Sequence, residues 1–358
     1  MNENLHILEL IKHSSPIIQL AWIFCVVFLV FIAMLVIYLK YLRNHLRVKE
    51  KIEAQYREQY ESCLVTYLYS GNDGEAFSTE QQLIINELKE DATDLFKRKI
   101  IISTLLKLRN EISGEMGESI DKLFIKLGLL RYSLVKLRDK KWDVIAIGIR
   151  ELTQFKIKAV RKIIMNNINH PKREVRKEMQ LYLVHVYAFK GLDFLNILET
   201  TLSEWDQIQL LEVLQLNNDT QIADIRPWLK SSNDSVVTFT LKLAKVYNQF
   251  EVKEELIELL NHKSEDVRIN VISALSHLNV FEAKTILKDS FDERSQDEQI
   301  AFLKMMQNVY ENSDKHFLLE HVHHKSFEIK LLIMDTLKNI NFEEFDINEA
   351  EINVPLTA

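Results

Sequence analysis

The sequence predicts an all-α protein in which an N-terminal transmembrane helix is followed by an α-solenoid of about eight helical hairpins. Residues 14–39 contain no charged side chain and are almost wholly apolar. From residue 144 onward, a pattern of apolar positions recurs every 30 or 31 residues. Only seven glycines and four prolines occur in 358 residues, so few positions interrupt a helix. A fixed period of this length is typical of one supersecondary unit stacked on copies of itself.

The first element is a membrane span over residues 17–39, preceded by a short extracytoplasmic head over residues 1–16. A helix of this length extends about 35 Å, which is enough to cross a hydrocarbon core of about 30 Å with some tilt. A buried core helix needs no such length. A cleaved signal peptide is disfavoured because the apolar run is too long and no small-x-small cleavage site follows it. We therefore expect one retained anchor.

The charges beside the span predict its orientation. Only Lys12 lies shortly before it, whereas five basic residues follow closely: Lys40, Arg43, Arg47, Lys49 and Lys51. The positive-inside rule then places the N-terminus outside and the rest of the chain in the cytoplasm, with the span in the inner (cytoplasmic) membrane. Cysteine usage agrees, because Cys25 lies in the span and Cys63 stands alone, so the large soluble part has no disulfide framework.

Two stretches connect the span to the repeats. Residues 40–70 predict a juxtamembrane amphipathic helix with an apolar stripe, formed by Ile52, Tyr56, Tyr60, Cys63 and Tyr67. This helix can continue the anchor as a stalk, pair with another copy, or pack against the first repeat. The last is favoured because the stripe lacks sustained Leu-rich heptads. After Gly71-Asn72-Asp73-Gly74, Ser78 or Thr79 with a Gln three positions later predicts the start of connecting helices over residues 76–113.

The repeats are defined by columns of equivalent residues. Seven helix starts align at Val144, Val175, Asp206, Val236, Val267, Glu298 and Ile329. Eight positions later comes an apolar residue: Leu152, Leu183, Leu214, Ala244, Leu275, Met306 and Leu337. Offsets of four, eight and eleven fall on one stripe of a helix, so these columns predict its buried face. The position before the start is acidic in five helices and is Trp205 or Ser235 in the others. A second helix of about ten residues follows each first helix, most clearly at Glu251–Asn261.

A short motif recurs at three of the starts: Glu174-Val175-Arg176, Asp266-Val267-Arg268 and Glu328-Ile329-Lys330. It resembles the acidic-Val-Arg turn of HEAT repeats, in particular the short bacterial kind related to phycobilin-lyase HEAT-like repeats. The resemblance covers residues 114–340 and implies a membrane-anchored bacterial HEAT-repeat protein. It also implies that Arg176, Arg268 and, more loosely, Lys330 brace one repeat against the next. A weaker unit is expected to cap the start of the stack, with Met116, Ile120, Phe124 and Leu127 at the same offsets.

The formal net charge of -7 hides a strong division. Residues 97–190 hold 22 basic and 9 acidic side chains, whereas residues 191–358 hold 15 and 30. The basic part predicts a candidate docking face: Lys136, Arg138, Lys140, Lys141, Lys156, Lys158, Arg161, Lys162, Lys172 and Arg173. If these side chains share a face, they can contact anionic lipid headgroups or an acidic protein surface. An ordinary solvated surface and self-association with the acidic half of another copy are the alternatives. Nucleic acid is disfavoured because the chain is acidic overall.

The sequence predicts no catalytic, cofactor-binding or metal site. It contains no glycine-rich phosphate loop and no G-x-S-x-G elbow. The densest group of possible metal ligands is His316, His321, His323 and His324, which lacks cysteines and matches no ligand spacing. Deoxyhypusine hydroxylase, a HEAT-like enzyme, holds iron through His-Glu dipeptides, and this sequence contains none. A metal-dependent or lyase-type enzyme is the alternative function.

A solenoid of this kind favours binding over catalysis, because stacking builds an extended surface. We therefore expect a scaffold or adaptor that presents a cytoplasmic surface to a protein partner at the membrane. The resemblance suggests a membrane glycosyltransferase or a similar complex as that partner. The acidic tail, residues 341–358, either caps the last repeat through Phe342, Phe345 and Ile347 or is disordered.

Overall fold

The computed structural model describes residues 15–70, 78–216 and 222–340, and all regular secondary structure in these ranges is helical. This confirms the predicted all-α class. The chain forms two compact units that divide between Tyr132 and Ser133.

Three predictions fall wholly or mostly outside the described ranges. These concern the head at residues 1–16, the chain break at residues 71–74 and the acidic tail at residues 341–358.

The first helix, α1, runs without interruption over Pro16–Tyr69, a length of 54 residues or about 81 Å. Pro16 lies in its first turn, where the missing N–H costs no hydrogen bond. The most apolar 18-residue window of α1 has a mean hydropathy of 3.2, and none of that window is buried in the structure. By length and composition, this is the one helix in the described ranges that is able to cross a membrane.

The polar end of α1 packs on α2, Thr79–Asp91, and α3, Leu95–Glu111. Tyr60, Leu64 and Tyr67 are buried there. The Tyr60 hydroxyl donates to the Asp91 carboxylate at 2.8 Å, and Lys97 Nζ lies 2.6 Å from the same carboxylate. The helix thus continues the anchor. Of the predicted stripe, Tyr60 and Tyr67 are buried, Tyr56 and Cys63 are half-buried, and Ile52 is 41% exposed.

We expected this stripe to pack against the first repeat. In the structure it packs against the connecting helices α2 and α3. Only nine residues, 70–78, separate α1 from α2, so α2 is the nearest apolar surface along the chain. Ser78 and Gln81 form the predicted capping box at the start of α2, with distances of 3.1 and 3.2 Å. The buried Gln81 amide also donates to the carbonyl of Tyr67 at 3.0 Å, which fixes the start of α2 against the end of α1.

The weaker unit before the seven repeats contains α4, Gly114–Lys126, followed by α5, Leu129–Lys136. Ile120 and Phe124 are buried at the predicted offsets, whereas Met116 is 40% exposed. The division between the two compact units falls within α5.

The second unit contains the predicted repeats. In chain order its helices are α6, Trp142–Gln154; α7, Arg161–Asn166; α8, Arg173–Tyr187; α9, Glu204–Leu216; α10, Arg226–Leu229; α11, Asp234–Val246; α12, Lys253–Glu258; α13, Glu265–His277; α14, Glu282–Asp289; α15, Gln296–Asn308; α16, Lys315–Glu320; and α17, Phe327–Ile340. We call α6, α8, α9, α11, α13, α15 and α17 the first helices of hairpins 1 to 7. The segments that follow them are the second segments.

The predicted columns form the interface between hairpins. All seven residues at the fourth offset and all seven at the eighth offset are buried. Neighbouring first helices pack side by side, for example α6 on α8 and α13 on α15. They run parallel, because Tyr187 at the end of α8 donates its hydroxyl to the carbonyl of Lys158, just beyond the end of α6, at 2.6 Å. The second unit is therefore a stack of helical hairpins, as predicted.

The second segments contain shorter α-helices than the ten residues we expected. Hairpin 4 has six α-helical residues in α12 between two 3₁₀ turns, and hairpin 2 has a ten-residue 3₁₀ run over Ala188–Ile197. A 3₁₀ helix rises about 2 Å per residue, so ten residues span the roughly 20 Å of a 13-residue α-helix. Gly191 permits this run to approach α8, because a Cβ atom there would lie 2.1 Å from the carbonyl oxygen of Leu183.

Two positions after the end of each of three first helices lies a residue with positive φ, namely Lys156, Asn248 and Asn279, at 47°, 49° and 54°. The next N–H then bonds back to the carbonyl of the eighth-offset residue, as Val280 does to Leu275 at 3.0 Å. This left-handed turn reverses the chain into the second segment.

Candidate functional site

Nine of the ten residues of the predicted basic face lie on two opposite edges of the stack. Five come just before α6 or at the start of α8: Arg138, Lys140, Lys141, Lys172 and Arg173. Four follow the end of α6: Lys156, Lys158, Arg161 and Lys162. The tenth, Lys136, ends α5 and pairs with the buried Glu151. The 13 residues of α6 place about 20 Å between the two groups. The single face that we predicted is therefore divided in two.

We call the edge at the N-terminal ends of the first helices the start edge. Around hairpins 1 and 2, residues 138–143 and 172–176 at this edge hold six basic and three acidic side chains, and Asp206 of hairpin 3 lies beside them. Arg173 donates to the Ser203 hydroxyl at 2.8 Å and lies 3.3 Å from the buried Asp206 carboxylate. Carboxylates therefore offset part of the positive charge of the start edge in this part of the stack.

We call the opposite edge the end edge, and it carries a denser group of cations. Arg161 donates to the Asp193 carboxylate at 2.7 Å and to the carbonyl of Lys190 at 3.0 Å. Its guanidinium also lies 4.9 Å from the centroid of the Tyr187 ring. These contacts hold the turn after α6 against the turn after α8. They bring together four exposed side chains that we call the end-edge lysines: Lys156, Lys158, Lys162 and Lys190.

Arg268, one of the three predicted bracing residues, makes a direct contact between hairpins. Its guanidinium donates to the buried Glu298 carboxylate of hairpin 6 at 2.8 and 3.0 Å, and also to the carbonyl of His262 at 2.7 Å. Burial raises the pKa of Glu298, but hydrogen bonds from Arg268 and from the backbone and side chain of Ser295 lower it by more. The pKa of Glu298 is therefore about 2, below its ordinary value of 4.5. Glu298 therefore stays ionised, and its ion pair with Arg268 connects hairpins 5 and 6.

The other two predicted bracing residues lie in different settings. Arg176 donates to the carbonyls of His170 and Pro171 at 2.8 and 3.1 Å, so it holds the turn that connects hairpin 1 to hairpin 2. Lys330 is half-buried in the first turn of α17.

A second buried ion pair joins hairpins 5 and 6. Asp314 is fully buried and lies 2.9 Å from Nζ of Lys284, which is also buried, and it pairs with Lys288. Lys284 reaches the partly exposed Glu311 at 2.7 Å as well. Burial disfavours the charged form of Lys284, but Glu311 and Asp314 outweigh it, so the pKa of this lysine is raised. This pair is not predicted by the sequence, because a buried lysine leaves no signal in an apolar pattern.

A column of turn residues was also missed. Five positions before the helix starts, a side-chain atom accepts the N–H of the residue two places on: Asp139, His170, Ser231, His262 and His324, at 2.8 to 3.2 Å. The histidine at this position in three hairpins thus stabilises the turn into a first helix. Extending the columns five residues upstream would have revealed this pattern.

The histidines that we considered as metal ligands therefore have other contacts. His324 belongs to the turn column. His321 bonds through Nδ1 to the carbonyl of Phe317 at 2.8 Å, and its ring centroid lies 4.4 Å from that of Phe317 and 4.9 Å from that of Phe291. Within the described part of the chain, no three His, Cys, Asp or Glu side chains are arranged to hold a metal ion.

An apolar stripe lies exposed on α9. Trp205, Ile208 and Leu216 are 60%, 50% and 73% exposed, and their spacing places them on one side of the helix together with the exposed Glu212. Val246 on the neighbouring helix α11 is 40% exposed. At the position of Trp205, five other first helices carry an acid. This departure from the column is visible in the sequence, but only the structure reveals that the whole stripe is uncovered.

No protein-family model matches the chain, and no curated protein matches it either. Among solved structures, an engineered protein is 13% identical, with 79% of this chain and 94% of that chain covered and a TM-score of 0.35. Human deoxyhypusine hydroxylase in complex with glycerol is 12% identical, with 80% and 96% covered and a TM-score of 0.30. A second engineered protein is 14% identical, with 72% and 96% covered and a TM-score of 0.24. Similarity at this level carries no argument about function.

Proposed function

We propose that this chain is an adaptor anchored in the bacterial inner membrane by one helix, with HEAT-like repeats that bind a protein partner through α9. The observation that carries the proposal is the exposed stripe of Trp205, Ile208 and Leu216. Exposed apolar side chains in one row, with a tryptophan among them, are typical of the centre of a protein interface. The proposal is of a binding protein rather than an enzyme.

The anchor confines this binding to the membrane. The apolar part of α1 has no cover in the described chain, which fits a helix surrounded by lipid. The five basic residues after the span support an orientation with the N-terminus outside and the repeats in the cytoplasm. A partner that is itself a membrane protein would be confined to the same membrane, which would raise its effective concentration near the stripe.

The shape of the stripe favours a helical partner. It extends over 11 residues, or about 16 Å of helical rise, and it forms a ridge along α9 in which Glu212 also lies. Such a ridge packs well into the groove between side chains of another helix. We therefore expect the partner to present an amphipathic α-helix with an apolar face. A membrane glycosyltransferase or a similar complex is the class of partner that the resemblance to anchored HEAT-repeat proteins suggests.

The variant Trp205→Glu tests this proposal. Glutamate restores the acid found at this position in five other first helices, so folding should be preserved. A hot-spot residue contributes about 2 kcal/mol or more to binding, which corresponds to roughly a 30-fold loss of affinity. We expect affinity purification of the full chain from detergent extract to recover the partner with wild type and to lose it with Trp205→Glu and Ile208→Glu.

Leu331→Glu is the matched control, because Leu331 occupies the position of Ile208 in hairpin 7 and is also 50% exposed. Recovery should be unchanged in this variant. Full recovery with both α9 variants, or an equal loss with Leu331→Glu, would overturn the proposal.

A further inference from the structure

The end-edge lysines form the most cationic part of the described surface of hairpins 1 and 2. Residues 155–162 and 188–193, the two turns that carry them, contain five basic residues and one acidic residue, Asp193. Asp193 is engaged by Arg161 at 2.7 Å, so it does not offset the lysines. Residues 138–143 and 172–176 at the start edge hold six basic and three acidic residues, which is a smaller excess.

The cluster is held together by the fold. Arg161 bonds the carbonyl of Lys190, and the Tyr187 hydroxyl bonds the carbonyl of Lys158. These contacts join two consecutive turns, so the lysines project from one row of turn tips rather than from separate places on the surface.

Lys156 occupies an unusual backbone position. Its φ is 47°, in the left-handed region where asparagine stands at the equivalent turns of hairpins 4 and 5. Asparagine tolerates this region well, whereas lysine adopts it at a cost. The turn of hairpin 1 therefore carries a cation where a neutral residue would be easier to accommodate.

We infer that the end-edge lysines dock on anionic phospholipid headgroups. The inference rests on the proposed function in one respect, since the anchor is what keeps the repeats close to a bilayer. Clustered lysines near a membrane surface are attracted by its negative potential, and this attraction falls off within a Debye length. Docking would fix the orientation of the repeat stack and so determine which way α9 faces.

The chemistry of the cluster favours lipid over an acidic protein surface. Lysine ammonium groups are point charges on flexible stems and suit phosphates that move laterally. Arginine is the residue that recognises a carboxylate or phosphate held in a fixed position with two parallel hydrogen bonds. The one arginine in these turns, Arg161, already binds Asp193 and the carbonyl of Lys190.

The two edges provide an internal control for a footprinting experiment. The full chain is placed in nanodiscs of phosphatidylcholine alone or of phosphatidylcholine with phosphatidylglycerol, and exposed amines are acetylated and quantified by mass spectrometry. We expect the anionic lipid to reduce labelling of the end-edge lysines by roughly threefold or more, and salt at about 0.5 M to restore it. Labelling of the start-edge lysines, Lys140, Lys141 and Lys172, should not change.

A further arm separates the two sources of phosphate. Inorganic phosphate is added to nanodiscs of phosphatidylcholine alone. Protection by free phosphate equal to that by anionic lipid would overturn docking on a lipid surface. Equal protection of both edges, or no protection of the end-edge lysines, would overturn it as well.

Amide hydrogen exchange provides a second readout, because it does not require chemical labelling of the lysines. In the wild type, anionic lipid should slow amide hydrogen exchange in residues 155–163 and 188–193. The effect should vanish when the four end-edge lysines are changed to glutamate, and it should persist in the variant Lys140→Glu, Lys141→Glu, Lys172→Glu. Persistence of the slowing in the end-edge variant would contradict the inference. The slowing should persist in Trp205→Glu, which separates lipid docking from partner binding. Failure of the chain to enter nanodiscs would instead refute the proposed anchor.

Discussion

Hairpins 1 to 3 and hairpins 5 and 6 are joined by ion pairs of different kinds. In the first group, the side chains of Arg161 and Asp193 are 39% and 52% exposed. The other two pairs each join an exposed arginine, Arg150 or Arg173, to a carboxylate that is 16% or 8% exposed. In the second group, the side chains of Lys284 and Asp314 are 5% and 0% exposed, and that of Glu298 is 2% exposed. The pairs of the first group lie near the end-edge lysines and the apolar stripe, whereas the buried pairs of the second group connect hairpins 5 and 6.

The difference in burial predicts that the two groups of hairpins contribute differently to binding and to stability. Exposed ion pairs contribute little to folding because water screens them, so hairpins 1 to 3 are free to vary their surface charge. Breaking a buried pair leaves an uncompensated charge inside the protein, so hairpins 5 and 6 should tolerate substitution poorly. Substitutions in the first group should therefore change binding, and substitutions in the second should change folding.

The largest expected effect follows from Asp314→Asn. This change leaves Lys284 and Lys288 close together with only the partly exposed Glu311 as a carboxylate partner. We expect a loss of about 3–5 kcal/mol in local stability. Amide hydrogen exchange in α14 and α16 of the full chain in detergent should accelerate by about a hundredfold or more.

Glu311→Gln is the control for this prediction, because it removes the exposed partner of the same Lys284 and should cost about 1 kcal/mol or less. If Asp314→Asn accelerates exchange no more than Glu311→Gln does, the buried pair has no special role.

A smaller, pH-dependent effect is expected from Glu298→Gln. The pKa of Glu298 is about 2 in the folded protein and 4.5 ordinarily, so its ionisation stabilises the folded state above about pH 5. This stabilisation is lost as the pH falls from about 5 to 2. Urea denaturation at pH 7, 5 and 3, followed by circular dichroism, should show wild type approaching Glu298→Gln as the pH falls.

Asp297→Asn serves as the comparison for this series, since Asp297 is exposed in the same helical turn. Its difference from wild type should stay small and constant with pH. A gap between wild type and Glu298→Gln that does not narrow at pH 3 would contradict the assigned pKa.

The smallest effect on stability should come from Arg161→Ala. The pair with Asp193 is exposed, so its loss should cost about 1 kcal/mol or less. The same urea denaturation at pH 7 measures this cost. A loss comparable to that of Asp314→Asn would remove the distinction between the two groups of hairpins.

Much of the stack could be predicted from the sequence because its first helices share a buried stripe. The eighth-offset column is apolar in all seven first helices, and every member is buried. The second segments were harder to predict because they mix α and 3₁₀ turns, whose different rise per residue leaves no single period to detect. Gly191, for example, has its role only because it approaches the carbonyl of Leu183.

The candidate surfaces were predicted less well, for a different reason. Charge was counted along the chain, but residues before and after a first helix lie on opposite edges, so Lys140 and Lys156 cannot share a face. His324 resembles a metal ligand beside His316, His321 and His323, whereas its equivalence to His170 and His262 identifies it as a turn residue. Trp205 stood out in its column, but its meaning depends on exposure, which a single sequence does not encode.

The central claim, that α9 meets a protein partner at the membrane, is tested most directly by a photo-cross-linking amino acid placed at position 205 of the full chain in living cells. A second chain carries the same residue at position 331, the comparable exposed site in hairpin 7. We predict that one membrane protein is cross-linked from position 205 and not from position 331. The absence of any adduct from position 205, or the same adducts from both positions, would contradict the claim.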